Sequence, residues 1–112
     1  MIREKSRLFS VRVVKLYRHL VSEKKEYVMS KQLLRSGTSI GANLAESRYA
    51  QSRGDFLSKN SIALKEAAET EYWLDLLHDT GYLTDPEYSS IHADVAELIR
   101  MLTSITKSLK SK

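Results

Sequence analysis

The segment from Leu33 to Glu46 constrains the fold most strongly, because it has a helical period and yet carries two glycines. Its apolar and small residues recur at i, i+4, i+7 and i+11 and so share one helical face: Leu33, Gly37, Ile40 and Leu44. A glycine inside a helix costs about 1 kcal/mol relative to alanine. Gly37, Gly41 and Ala45, spaced by four, form what we call the small-residue strip. The strip predicts a close neighbouring helix, and the alanines of the third predicted helix indicate that this neighbour is the third helix.

Size and composition indicate one folded domain over residues 1–112. Hydrophobic residues make up 42% and charged residues 29%, as in soluble globular proteins rather than disordered chains. One proline and four glycines predict few, long elements. The absence of cysteine excludes disulfides and thiolate metal sites. No apolar run approaches the roughly 18 residues of a membrane span, and no signal-like apolar core follows Met1. The expected location is therefore cytoplasmic.

Hydrophobic spacing predicts the first two helices. The first should run from Ser6 to Glu23, with this apolar face: Phe9, Val13, Leu16 and Leu20, widened by Val14, Tyr17 and Val21. The second should begin near Ser30, a favourable N-cap residue, and end near Gln51 or Ser52.

The third helix should begin between Ser52 and Asp55, a pair that resembles a capping box, and end near Thr80, with Gly81 as its cap. Its predicted inner face comprises Phe56, Ala63, Ala67, Thr70, Leu74 and Leu77. The fourth helix has the clearest start, in the run Thr84-Asp85-Pro86-Glu87. A strict 3.5-residue period then follows along Tyr88, Ile91, Val95, Leu98, Leu102, Ile105 and Leu109.

These four helices predict an all-α fold, an up-down-up-down four-helix bundle. Helices of about 20 residues span about 30 Å each, and short connections place consecutive helices antiparallel. No segment shows sustained strand alternation, and no second domain, linker or repeat is evident.

Charge is distributed unevenly along the chain. Residues 1–53 carry twelve Lys or Arg and four Asp or Glu, a formal charge of +8, whereas residues 54–112 carry six and ten, a charge of −4. Arg12, Lys15 and Arg18 lie off the apolar face of the first helix and predict a basic outer face. Such a face can bind nucleic acid or pair with an acidic face of another subunit. The plainest alternative is that these charges only keep the helices soluble.

Catalytic and metal-binding motifs are absent from the sequence. The three histidines lack the spacing of a zinc motif, no Glu-x-x-His pair occurs, and no glycine-rich phosphate loop follows a strand. We expect no metal, no cofactor and no catalytic residue, although carboxylates near His78 leave a metal site as a minor alternative.

Glu66 and Glu69, three residues apart, can face the same neighbour and allow two interpretations. One is a catalytic acid–base pair. The favoured one is a polar network that fixes packing or assembly: Arg35, Ser39, Asn43, Glu66 and Glu69.

Several tyrosines lie close to basic residues in the sequence. Nucleobases can stack on such aromatic rings. Tyr49 follows Arg48, Tyr27 follows two lysines, and Tyr17 precedes Arg18 but is better placed for core packing. No known nucleic-acid-binding motif is matched.

Two separated blocks resemble the signature of the bacterial four helix bundle protein family, whose members are encoded in intervening sequences of large-subunit ribosomal RNA genes. The first block is the run SKQLLRSGTSIGANLAE at residues 30–46. The second comprises Asp55-Phe56, residues 62–67, Glu69-Thr70 and residues 72–74. The resemblance covers residues 11–83 well and the fourth helix only by pattern. The family includes the accessory variability proteins of diversity-generating retroelements.

The resemblance implies a cytoplasmic bundle that assembles into a ring-like homo-oligomer, commonly a homopentamer, with a basic surface for nucleic acid. In the retroelement relatives the protein serves a reverse transcriptase. The family defines no catalytic residue, and the role of most members is not established.

The predicted function is thus a non-enzymatic, homo-oligomeric bundle that binds RNA or DNA. The candidate phosphate contacts are Arg7, Arg12, Lys15, Arg18, Lys24, Lys25, Arg48 and Arg53. The alternative is a protein-interaction scaffold or accessory subunit, for example of a reverse transcriptase, without direct nucleic-acid binding. A third hypothesis is an enzyme that uses Glu66 and Glu69.

Overall fold

The computed structural model describes residues 1–111 and contains four α-helices, with no β-strand among those residues. They are α1 (Ile2–Ser22), α2 (Met29–Ser47), α3 (Arg53–Asp79) and α4 (Asp85–Lys110). The predicted all-α class is confirmed. The domain predicted for residues 1–112 also includes Lys112, which lies outside the described residues.

Consecutive helices run antiparallel and form an elongated bundle of 46 × 21 × 21 Å. On α2 and α3, for example, Arg35 reaches Glu69, whereas Glu46, further along α2, contacts Lys59, nearer the start of α3. α2 packs against α1 and α3, α3 also packs against α4, and α4 closes the bundle on α1 less tightly. The topology is therefore up-down-up-down.

One apolar core runs between the four helices. Its almost wholly buried side chains are Phe9, Val13 and Leu20 of α1, Leu33, Ile40 and Leu44 of α2, Ala63, Ala67, Leu74 and Leu77 of α3, and Ile91, Val95, Leu98 and Leu102 of α4. Leu16 and Phe56, expected in the core, are only half-buried, whereas Ser6 and Asn60 are buried. These two polar side chains are accommodated because each donates to a carbonyl of its own helix, at 2.9 and 2.8 Å.

The small-residue strip of α2 faces α1, so the prediction that it receives α3 is wrong. A Cβ atom added to Gly37 would lie 2.8 Å from both Cγ atoms of Val13. One added to Gly41 would lie 3.1 Å from the Ser10 hydroxyl. The close approach of α1 thus requires glycine at position 37. Ala45, the third member of the strip, is exposed.

α3 meets a different face of α2, where two small polar side chains touch. The hydroxyls of Ser36 and Thr70 are fully buried and hydrogen-bonded to each other at 3.0 Å. Ala63 and Ala67 are also fully buried on α3. The alanines of α3 therefore lie in the core.

Local backbone geometry sets the ends of α2 and α3. α2 ends at Ser47, earlier than the predicted Gln51 or Ser52. Ser52 is the N-cap of α3, with φ −157° and ψ 169°, and its hydroxyl accepts from the Asp55 amide at 3.0 Å. The chain must leave α2 before it can adopt this extended conformation. Gly81, with φ +88°, follows the end of α3 as predicted.

Glu26 caps α2, and the prediction of Ser30 in this role is wrong because Ser30 lies within the helix. The Glu26 carboxylate accepts hydrogen bonds from the amides of Val28, Met29 and Ser30 at 2.7–3.3 Å. Burial on its own would raise the pKa of Glu26, but the three amides favour the ionised form and hold the pKa below its usual value. A buried anion at a helix start also complements the helix dipole.

α4 starts with the predicted capping box. The Glu87 amide donates to the Thr84 hydroxyl at 3.3 Å, and the Thr84 amide donates to the Glu87 carboxylate at 2.8 Å. The apolar seam keeps its period as far as Leu102, after which Thr106 is buried and Ile105 is half-buried. A straight helix drifts by about 20° per heptad from a 3.5-residue period. The buried face therefore moves by one residue near the end of α4.

Candidate functional site

Five exposed cations lie along the outward face of α1 and at the end of α2. We call them the basic strip: Arg3, Arg7, Lys15, Arg18 and Arg48. Within residues 1–111, none of them forms an ion pair. Several cations that face other helices do, as in the pair between Lys5 and Glu97. The strip is consequently a surface where positive charge is available to a ligand.

Two shallow grooves run along the basic strip. The groove between α1 and α2 has a volume of about 340 Å³, and its lining is Arg3, Arg7, Ser10, Gly41, Ala42, Ala45 and Arg48. The second groove, about 280 Å³, is lined by Arg7, Ser10, Val11, Val14, Lys15 and Arg18. Because Arg7 and Ser10 line both, the grooves adjoin, and together they bring all five cations onto one surface.

The sequence of α2 explains why the first groove exists. Gly41 has no side chain, and Ala42 and Ala45 end at Cβ, so nothing from α2 fills the space beside α1. The close approach of α1 to α2 requires glycine at position 37. Further along α2, the small side chains leave the groove open. Arginine side chains form its rim, where their charged ends remain hydrated.

Arg12 lies outside the basic strip, which corrects its predicted place on a basic outer face of α1. Its guanidinium points towards α4, where it contacts the Asp94 carboxylate at 2.6 Å and the Ser90 hydroxyl at 2.9 Å. Together with Lys5 and Glu97 it bridges α1 and α4. Its charge is therefore engaged within the bundle.

The remaining three predicted phosphate contacts lie apart from the basic strip. Lys24 and Lys25 are exposed in the connection between α1 and α2, at the far end of α1 from Arg3. Arg53, the first residue of α3, donates to the Leu109 carbonyl at 3.2 Å. The structure thus brings Arg7, Lys15, Arg18 and Arg48 together and leaves these three separate.

Arg3 belongs to the strip but was missed in the sequence analysis. The first helix was predicted to begin at Ser6, whereas α1 begins at Ile2. The available signal was the spacing of four between Arg3 and Arg7, which places both on one face if the helix extends that far. Arg3 and Arg7 both line the groove beside Arg48.

Arg35 bridges the two carboxylates of the predicted polar network. Its guanidinium contacts Glu66 at 3.3 Å and Glu69 at 2.5 Å, and the Glu69 carboxylate also accepts from the Trp73 indole at 3.0 Å. The hydrogen bond with Glu69 raises the pKa of Arg35. Hydrogen bonds from Arg35 and then Trp73 lower the pKa of Glu69. The arrangement joins α2 to α3 on an exposed face.

Ser39 and Asn43, the other predicted members of this network, do not reach the carboxylates of α3. The Ser39 hydroxyl donates to the Arg35 carbonyl at 2.6 Å, and the Asn43 amide donates to the Ser39 carbonyl at 2.8 Å. Both side chains satisfy their hydrogen bonds within α2. Of the predicted network's α2 members, Arg35 is therefore the one that contacts Glu66 and Glu69.

An aromatic stack joins α3 to α4 on the side of the bundle with the histidines. His78 stacks on Tyr88 at 4.3 Å between ring centroids, and Tyr88 stacks on His92 at 5.0 Å. The Tyr88 hydroxyl donates to Asp75 at 2.5 Å, which together with burial raises the pKa of Tyr88 to about 12. His92 contacts Glu71 at 2.9 Å. Each ring therefore takes part in packing between helices.

Metal-binding clusters and membrane-spanning helices are both absent from residues 1–111. Residues 1–111 contain no group of three or more histidines and carboxylates able to hold a metal ion. Over the same range, no helix has both the length and the apolar character needed to cross a bilayer.

Comparison with known proteins identifies one family. The family model described as 23S rRNA-intervening sequence protein matches residues 1–104, which includes most of α4 as well as the region quoted in the sequence analysis. The crystal structure of a protein of unknown function from the S23 ribosomal protein family of Bacteroides thetaiotaomicron superposes with a TM-score of 0.94. The two sequences are 58% identical, over 96% of this chain and 99% of that chain. No functionally curated protein matches the chain.

Proposed function

We propose that this chain, which belongs to the 23S rRNA-intervening sequence protein family, is a non-enzymatic, homo-oligomeric bundle that binds RNA or DNA through the basic strip. The observation that carries the proposal is the set of five exposed cations that line adjoining grooves and have no acidic partner within residues 1–111. Nucleic acid, a polyanion of the cytoplasm, is the ligand that matches this surface.

The length of the strip suits a run of phosphates. Arg3 and Arg18 are fifteen residues apart on one helix, which corresponds to about 22 Å at 1.5 Å per residue. The phosphates of one strand rise by about 3.4 Å per base pair along the duplex axis, so the strip is as long as roughly six such steps. Cations at intervals along this length can displace condensed counterions, which is the main source of binding free energy for nonspecific nucleic-acid ligands.

Apolar side chains on α1 support self-association. Leu8 and Val11 are exposed to 57% and 39%, and both line a groove of about 390 Å³ between α1 and α4. Their burial against a second copy would remove apolar surface from water. The proposed assembly is a homopentameric ring, the form implied by the family resemblance. Light scattering after size exclusion tests it, because a mass of 12.8 kDa, that of one chain, would contradict self-association.

A non-enzymatic role is supported by the state of the acid–base pair that the sequence suggested. Glu66 and Glu69 both contact Arg35, and the pKa of Glu69 is held below its usual value. A carboxylate held ionised by an arginine is a poor proton donor near neutral pH.

Neutralisation of the strip tests nucleic-acid binding. The variant carries Arg7→Gln, Lys15→Gln and Arg18→Gln, and fluorescence anisotropy with a labelled oligonucleotide at low salt measures the dissociation constant. We expect affinity to fall by about tenfold or more because three phosphate contacts are lost.

A matched control removes the same charge from exposed lysines on α3 and α4: Lys65→Gln, Lys107→Gln and Lys110→Gln. We expect this variant to bind nearly as tightly as the parent chain. Equal losses in the two variants would show that only net charge matters and would contradict a specific role for the strip.

The second candidate function is a protein-interaction scaffold or accessory subunit, for example of a reverse transcriptase, without direct nucleic-acid binding. The exposure of Leu8 and Val11 favours it, because the same apolar surface can receive a different protein. Under this function, Leu8→Gln would abolish partner capture, whereas neutralising the strip would leave capture intact.

A further inference from the structure

We infer that the groove between α1 and α2 binds single-stranded nucleic acid, with an unpaired base stacked on Tyr49. This inference rests on the proposed function and specifies the ligand. The groove would hold the phosphates, and the tyrosine ring just beyond it would hold a base.

Tyr49 presents its ring to solvent beside the groove. It follows the last turn of α2, where its amide donates to the Glu46 carbonyl at 2.9 Å, and 79% of its surface is exposed. The guanidinium of Arg48, which lines the groove, lies 5.9 Å from the centre of the ring. The ring therefore lies beside a groove-lining arginine and is open to solvent, as a platform for a planar ligand must be.

Charge around the groove favours a phosphate backbone. Arg3, Arg7 and Arg48 line one cavity of about 340 Å³ whose floor is made of glycine, alanine and serine. The carboxylate nearest to Arg48 along the chain, Glu46, is paired with Lys59 at 2.9 Å. The groove therefore offers three cations, close approach to a backbone and no unpaired acid on the adjacent turn of α2.

A single strand fits this arrangement better than a duplex. In a duplex each base is stacked on its neighbours, so only an unpaired base can offer a face to the tyrosine. Stacking of this kind is tolerant of sequence, because every base has a π face, and the arginine beside the ring adds a cation–π contribution.

Substitution of Tyr49 tests the inference on the full chain. Fluorescence anisotropy with labelled 12-nucleotide oligouridine and with a duplex of the same length gives both affinities at one salt concentration. We expect Tyr49→Leu to weaken single-strand binding about 5- to 100-fold, the range that one base–aromatic stack supplies. Tyr49→Phe, which keeps the ring, should bind within about twofold of the parent chain. Duplex affinity should not change.

Tyr27 provides the matched control. It is 55% exposed and lies two residues after Lys25, but it is at the opposite end of the 19-residue α2, about 28 Å away. We expect Tyr27→Leu to leave single-strand affinity unchanged. An equal loss in Tyr27→Leu and Tyr49→Leu would overturn the inference.

Other outcomes separate failure of the inference from failure of the proposed function. If Tyr49→Leu binds oligouridine as the parent does while neutralisation of the strip weakens binding, the base platform is refuted and nucleic-acid binding stands. Tighter binding of the duplex than of the single strand would also refute the inference. So would a competition experiment in which polyglutamate displaces labelled oligouridine as well as unlabelled oligouridine of the same charge does. If neither oligonucleotide binds at low salt, the proposed function fails and the inference fails with it.

Discussion

Replacement of Gly37 by alanine tests the packing that shapes the candidate site. The new Cβ would lie 2.8 Å from both Cγ atoms of Val13 and 3.2 Å from its Cβ, whereas carbon atoms in contact normally lie about 3.5–4.0 Å apart. Val13 is fully buried and β-branched, so no change of rotamer clears both methyls and the helices must separate.

The expected change in stability follows from two opposing contributions. Overpacking of this kind costs about 1–3 kcal/mol, and the stiffness of Val13 places the cost in the upper part of that range. The gain in helix propensity from glycine to alanine is about 1 kcal/mol. Gly37→Ala should therefore lower the free energy of unfolding by about 1–2 kcal/mol, or Tm by about 4–8 °C for a chain of this size.

Two further glycines provide controls in the same assay, urea unfolding followed by circular dichroism at one protein concentration. In Gly41→Ala the new Cβ would lie 3.1 Å from the Ser10 hydroxyl, and the free energy of unfolding should be nearly unchanged. Gly54→Ala, in the first turn of α3, meets only the Ser52 hydroxyl at 3.8 Å and should stabilise by up to about 1 kcal/mol. In the double variant, Val13→Ala removes the two clashing methyls and leaves only the 3.2 Å contact with its Cβ, so it should remove most of the cost of Gly37→Ala. Stabilisation by Gly37→Ala in the parent chain would refute the close approach of α1.

Three further predictions concern single side chains. Glu26→Gln should lower the free energy of unfolding by about 1–2 kcal/mol at pH 7; because the folded pKa of Glu26 is lowered, this difference should shrink as pH falls through that pKa, which urea unfolding at a series of decreasing pH values checks. Thr84→Ala should cost about 1 kcal/mol through loss of the α4 N-cap, whereas thermal unfolding of Thr103→Ala, an exposed position on the same helix, should be nearly unchanged. Arg12→Gln should leave oligonucleotide affinity unaltered in anisotropy titrations, unlike Arg7→Gln, because Arg12 is engaged by Asp94; equal losses would contradict this assignment.

The sequence predicted those features of the fold that depend on local chemistry. The capping box at Thr84 and Glu87, the N-cap at Ser52 and the positive φ at Gly81 each involve residues within a few positions of one another. Such signals do not depend on how the helices pack. Glu26 escaped prediction because a carboxylate that caps a helix from a connection leaves no periodic pattern in the sequence.

Features that depend on the arrangement of helices were harder to predict. Gly37 indicates that something lies close but not which helix it is, and only the packed bundle shows that Val13 fills the space. Arg12 and Arg7 are both basic residues of α1, yet the position of α4 decides that only Arg12 finds an acid. All five members of the basic strip lie in the basic half of the chain, but Arg3 was not predicted because its place on the strip depends on where α1 begins.

The salt dependence of nucleic-acid binding tests the central claim most directly. Association constants for oligouridine would be measured from 50 to 200 mM salt for the parent chain and for the variant neutralised at Arg7, Lys15 and Arg18. We expect log K to fall steeply and linearly with log salt for the parent chain, and the slope to be smaller by about 2 in the variant, at roughly 0.7 for each lost contact with a single strand. Absent binding, a parent slope near zero, or identical slopes in the two proteins would contradict the account.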